Sequence, residues 1–145
     1  MEETDRKILA LLAADGRMSY TDIGKHTGLS TSAAQQRVRR LEQRGVITGY
    51  HARIDPAALD RTLTAFIAIR PLNPSLHDDL PERMSPIPEI VSCYSVAGDS
   101  SYLLKVQVEH PLALEGLLAR IRTELAVATL TTLVLSVPFE DRVVL

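Results

Sequence analysis

GLSTSAAQQRVRRLEQRGVI, Gly28–Ile47, is the stretch whose reading decides the fold of this chain. On a helical wheel Ala34, Val38 and Leu41 share one face and must pack inward. Ser32, Gln36, Arg39, Arg40 and Gln43 share the opposite face, with Arg37 and Arg44 to one side. Ser30 is a good N-cap, and Gly45 suits the left-handed residue that closes a helix. The spacing predicts a helix over Thr31–Arg44. Gly28, which takes positive φ without strain, suits a tight turn just before it.

Upstream, Asp5–Ala14 carries Ile8, Leu9, Leu11 and Leu12 at helical spacing. Gly16 stops that helix. Thr21–His26 reads as a short second helix with Ser19 as its N-cap. Gly24, one turn before Gly28, is small enough to let neighbouring backbone approach. Three helices with a glycine turn before the third make a helix-turn-helix. A lean apolar stripe backed by a Ser/Gln/Arg face suits a major groove, because Arg and Gln reach base edges and Arg, Ser and Thr reach phosphates. That face alone fits a solvated surface equally well; the helix-turn-helix geometry around it favours DNA. The candidate DNA contacts are Thr31, Ser32, Gln35, Gln36, Arg37, Arg39 and Arg40.

Charge divides the same way. The whole chain of 145 residues carries a net −2, but residues 1–53 hold nine Lys/Arg against six Asp/Glu, and residues 54–145 hold seven against twelve. Only the first part has the basic excess expected of a domain that meets a polyanion.

Downstream, Val46–Ile54 reads as an extended linker strand that closes a first domain at residue 53. Asp55-Pro56 opens a short helical turn, Ala57–Asp60. Thr62–Arg70 (TLTAFIAIR) is apolar on both alternating faces: Leu63, Ala65, Ile67 and Ile69 on one, Phe66 and Ala68 on the other. Asp78–Ile87 reads as a short helix with Pro81 in its first turn. Glu89–Ala97 and Tyr102–Glu109 read as strands joined by the turn Gly98–Ser101. Leu112–Leu125 is a helix with Leu114, Leu117, Leu118, Ile121 and Leu125 as its buried stripe, and Ala128–Val137 is a last strand. The order β-α-β-β-α-β predicts an α+β fold: a ferredoxin-like domain over residues 54–145 following the helix-turn-helix domain. Its two helices cover one face of the sheet. The strands are apolar on both faces, so a second copy of the chain is expected to cover the other.

The composition narrows the chemistry. Hydrophobic residues make up 46% of the chain and aromatic residues only 4%, so the cores are aliphatic. Cys93 is the only cysteine, which excludes an internal disulfide and a multi-thiolate zinc site. It sits mid-strand, where packing is the expected role. His26, His51, His77 and His110 are scattered, so no metal site is expected. No Ser-His-Asp spacing, P-loop or GxGxxG appears, and neither a catalytic residue nor a cofactor is expected. No apolar run approaches the roughly 18 residues of a membrane helix. The Met1-Glu2-Glu3 start has no basic region leading into an apolar one, so a soluble cytoplasmic protein is expected.

The stretch Asp5–Leu59 resembles the N-terminal half of the Lrp/AsnC, or feast/famine, transcriptional regulators. Gly28, the Arg37–Glu42 core (RVRRLE), Gly45-Val46-Ile47 and Tyr50 carry the likeness. VAGDSSYLLKV (Val96–Val106) and the Thr-rich final strand resemble that family's amino-acid-sensing domain. The resemblance implies one-component regulation of double-stranded DNA, with an amino acid or related small molecule as effector. It also implies dimers formed sheet to sheet and larger rings, commonly octamers. The effector would lie near the hairpin turn, at Gly98, Asp99, Ser100 and Ser101, where relatives often carry a second acidic residue in place of Ser101. Thr129 and Thr131, at the start of the last strand, are further candidates. From the turn chemistry alone, these glycine, aspartate and serine residues read equally well as a simple turn. Two rival readings share the layout: an enzyme that decarboxylates sirohaem with His and Arg residues, and an effector-independent assembly module with a vestigial helix-turn-helix. The Ser/Gln/Arg face favours intact DNA binding over the first.

Overall fold

The computed structural model describes residues 1–76 and 79–145. His77 and Asp78, and with them the expected helix start at Asp78, lie outside the described residues. The chain forms two compact units, Met1–Arg53 with Phe139–Leu145, and Ile54–Pro138. The sequence reading places residues 139–145 in the second domain; in the structure they cluster with the first. The last strand stops at Leu133, before that tail.

The first unit contains helices α1 (Glu3–Ala14), α2 (Tyr20–Thr27) and α3 (Thr31–Gln43). Ser19 caps α2 by accepting the Asp22 N–H, and Ser30 caps α3 by accepting the Ala33 N–H, each over 3.1 Å. Each cap satisfies one of the orphan donors at a helix start. Gly28 has φ +75° and Gly45 φ +69°, so both residues sit in the left-handed region for which the sequence marks them. Gly24 makes its close approach to the turn: a Cβ there would lie 2.5 Å from the Leu29 carbonyl oxygen. Ile8, Ile23, Ala34, Val38 and Leu41 form the core. Burying each large aliphatic side chain contributes about 1.5–3 kcal/mol.

Val46–Ile54 departs from expectation. It pairs with no strand among the described residues; the Val46 and Ile47 N–H groups instead donate back to the Leu41 carbonyl. β-branched residues make a segment strand-competent, but a ladder needs a neighbour to supply its hydrogen bonds.

The second unit begins with a 3₁₀ turn, Pro56–Leu59, capped by the Asp55 carboxylate. Strands β1 (Leu63–Pro71), β2 (Ile90–Ser95), β3 (Tyr102–Val108) and β4 (Val127–Leu133) form one antiparallel sheet in the order β2-β3-β1-β4. Helix α4 (Leu80–Met84) is shorter than expected and ends before Pro86, while α5 (Pro111–Leu125) matches its prediction closely. The His110 ring caps α5, its Nδ1 accepting the Ala113 N–H over 3.0 Å.

Ala65, Ile67 and Ile69 of β1 and Leu104, Val106 and Val108 of β3 pack in one core with Leu80 and Met84 of α4 and Leu114, Leu117, Ile121 and Leu125 of α5. Alternation then puts Phe66 and Ala68 on the other face. Tyr94, Leu103, Ala68 and Leu130 lie in register across all four strands on that face. Leu130 is 72% exposed and Tyr94 52%. This is the bare face, away from the helices, where Phe66, Ala68, Leu103 and Leu130 sit among polar Thr64, Lys105 and Thr132.

Candidate functional site

Helix α3 separates its two faces cleanly. Ala34, Val38 and Leu41 are buried, whereas Thr31, Ser32, Gln36, Arg39 and Arg40 are exposed and Gln35 is half-buried. The Thr31 hydroxyl pairs with that of Thr21, and the Ser32 hydroxyl with that of Ser30, both at 3.3 Å. Gln35, Gln36, Arg39 and Arg40 make no side-chain hydrogen bond or ion pair among the described residues, so their donors remain available. These residues form one polar, cationic strip.

Arg37 differs from the rest of the set. Its Nη1 donates to Asp5 Oδ1 and to Glu2 Oε2, both at 2.8 Å. The bond to Asp5 first, and that to Glu2 second, hold the guanidinium above its ordinary pKa. Asp5 is the one buried charged residue among those described, only 5% exposed. Sequence reasoning missed this link because partners 32 residues apart leave no mark in local spacing. On the flank of α3, the Tyr50 hydroxyl donates to Glu42 Oε1 over 2.8 Å. Its phenol is pushed up to about 12, by desolvation first and the Glu42 carboxylate second.

In the second unit, a cavity of about 200 Å³ opens at one end of the bare sheet face. Ala68 and Arg70 of β1, Asp99 and Ser100 of the hairpin turn, and Ala128, Thr129 and Leu130 of β4 line it. Of the six expected effector residues, Asp99, Ser100 and Thr129 reach it; Gly98, Ser101 and Thr131 do not. Gly98, at φ +144°, shapes the turn. The Ser101 N–H donates to the Ile69 carbonyl and its own carbonyl accepts from Val96, so Ser101 holds the turn to β1. Thr129 and Thr131 pair with Ile69 and Ile67, which places their side chains on the helix side of the sheet. There the Thr129 hydroxyl accepts from Arg122 Nε over 3.0 Å. Arg70 escaped the sequence reading although a signal existed, since it is the only charged residue of Thr62–Arg70.

A larger cavity of about 380 Å³ lies at the other end of the sheet, beside Thr62, Glu109, His110 and Leu135. The His110 Nδ1 there is already committed to capping α5, and Glu109 is the lone charged group lining that cavity. Cys93 lies mid-strand in β2, as expected, but exposed rather than packed, because β2 is an edge strand. What desolvation it has raises its thiol pKa, the opposite of nucleophile activation. No cluster of metal-ligating side chains occurs among the described residues, and no helix there is long and apolar enough to cross a membrane.

The model of the AsnC-type helix-turn-helix domain matches residues 1–42, and that of the Lrp/AsnC ligand binding domain matches residues 64–144. The HTH-type transcriptional regulator LrpA of Mycobacterium tuberculosis is 51% identical over 142 residues, covering 98% of this chain and 95% of that protein. The leucine-responsive regulatory protein of Escherichia coli K12 is 39% identical over 121 residues, 81% of this chain and 73% of that protein. Among solved structures, the feast or famine regulatory protein from M. tuberculosis complexed with L-methionine superposes with a TM-score of 0.93. It is 51% identical, with 97% of this chain and 96% of that chain covered. With a helix-turn-helix unit ahead of a βαββαβ ligand-binding unit, this chain belongs to the Lrp/AsnC family of DNA-binding transcriptional regulators.

Proposed function

We propose that this chain reads operator DNA with the outer face of α3, using Thr31, Ser32, Gln35, Gln36, Arg39 and Arg40. The observation that carries the reading is the strip of exposed, unpartnered Gln36, Arg39 and Arg40 set directly opposite a fully buried stripe. Arg and Gln are the side chains whose forks match purine edges in the major groove. Arg37, tied to Asp5, braces the helix instead.

The bare sheet face, apart from the end that holds the cavity beside Asp99, packs against a second copy, and dimers assemble further, to an octamer in the arrangement that the resemblance implies. A free amino acid occupies the cavity beside Asp99 and Ser100 and shifts assembly or operator affinity. A ligand does this only through its difference in affinity between states. The L-methionine complex of the M. tuberculosis relative supports this class of effector. The protein works in the cytoplasm, where its DNA is, and performs no catalysis; the regulator names of its relatives support that reading.

Genome-wide binding, with and without added amino acids, tests the proposal. Discrete sites whose occupancy changes with one amino acid are expected. Binding that is uniform along the genome removes the operator-reading role. Discrete sites that no amino acid alters remove the sensing role.

A further inference from the structure

We propose that Arg70 is the carboxylate-binding residue of the 200 Å³ cavity, and that the cavity selects a small zwitterion by holding its carboxylate on Arg70 and its ammonium at Asp99. The inference rests on the reading of the second unit as an amino-acid sensor and names how that sensor recognises its ligand.

Arg70 sits at the end of β1, next to buried Ile69 and therefore on the bare face. Asp99 comes from the hairpin turn, which the Ser101–Ile69 hydrogen bond holds against that end of β1. Both line the same cavity, yet they form no ion pair with each other, and neither has a side-chain hydrogen bond or ion pair among the described residues. An unpaired cation and an unpaired anion thus face one space without closing it. A molecule carrying both charges fills that gap and pairs both groups. The guanidinium fork matches a carboxylate in two parallel bonds.

The remaining walls set the size. Ala68 and Ala128 are short, and they leave the floor of the cavity open. Leu130 supplies an apolar wall for an aliphatic ligand side chain. The volume falls below the roughly 300–1,000 Å³ of sites for drug-sized ligands, so the occupant is small. Arg122 of α5 does not line the cavity: its Nε donates to the Thr129 hydroxyl on the helix side of the sheet. That leaves Arg70 as the cation lining the cavity.

The test is titration calorimetry on the full chain with each of the twenty standard L-amino acids in turn. The amino acid that binds is then compared with its decarboxylated amine and its deaminated acid, on wild type, Arg70→Gln, Arg70→Lys and Asp99→Asn. Arg70→Gln is expected to weaken the amino acid on the order of 10- to 100-fold. The same variant should leave the already weak decarboxylated amine unchanged, because that molecule has no carboxylate to lose. Arg70→Lys, which keeps the charge but not the fork, should fall between. Equal amino-acid binding by wild type and Arg70→Gln overturns the inference and leaves the sensing role standing. Binding of no amino acid to the wild type overturns both. Light scattering of the ligand-free variant supplies a further check: dissociation on Arg70→Gln would assign Arg70 to contact between copies and overturn its ligand role.

Discussion

Arg37 of α3 is bonded to Asp5 of α1, Nη1 to Oδ1, over 2.8 Å. The carboxylate is buried and the guanidinium partly exposed, so the pair joins α3 to α1. Removing Arg37 strands a buried carboxylate, which is costly. Arg37→Ala should therefore lower the melting temperature, and Asp5→Ala should do the same. The base preferences of the surviving folded protein should remain those of wild type. A changed sequence preference in a binding-site selection experiment would return Arg37 to the groove.

Arg39 and Arg40 should behave in the opposite way. Both are exposed and unpartnered, so Arg39→Ala and Arg40→Ala should leave the melting temperature unchanged. Loss of a base contact should cost about 1–3 kcal/mol of operator binding and relax specificity at one position. Loss of a phosphate contact should weaken every sequence and flatten the salt dependence. Gel-shift titrations at two salt concentrations separate these outcomes. Wild-type affinity in both variants would remove α3 from the interface.

Phe66 and Ile67 are neighbours with different fates. Ile67 is 0% exposed and faces the helices, whereas Phe66 faces the bare side of the sheet. Ile67→Asp buries an unpaired charge and should destabilise the domain by about 4 kcal/mol or more. Phe66→Asp should leave a folded chain that no longer associates. Circular dichroism and light scattering together read the difference. A folded wild-type monomer at micromolar concentration would refute the interface.

Gly24 and Gly28 should be unequal as well. Gly28 has positive φ and open space around it, so Gly28→Ala should cost about 1–2 kcal/mol of backbone strain. Gly24→Ala drives a methyl to 2.5 Å from the Leu29 carbonyl oxygen, and that backbone must move. It should destabilise more and should weaken operator binding through the displaced turn before α3. Paired thermal melts rank the two variants.

Local patterning made the helix-turn-helix legible. The caps Ser19 and Ser30, the positive-φ glycines Gly28 and Gly45, and the stripe Ala34–Val38–Leu41 all act within a few residues of themselves. The ferredoxin-like order was legible for the same reason, since alternation and helical periodicity are local properties. Where the patterning was weak, boundaries moved: β4 ends at Leu133 and not Val137, and α4 spans only Leu80–Met84.

The sequence by itself thus determined the kinds of element, their order, and the outward strip of α3. Tertiary structure alone decided the rest. TLTAFIAIR is apolar on both faces, so nothing in it says whether Phe66 or Ile67 meets the helices; the covering helices settle that. Arg37 reads like Arg39 and Arg40 until Asp5 is placed beside it. Arg70 comes to line one cavity with Asp99 only when the hairpin turn folds back beside β1. The physical reason is common to all three. Periodicity reports which way a side chain points from its own element, whereas its partner is set by where a distant segment folds back.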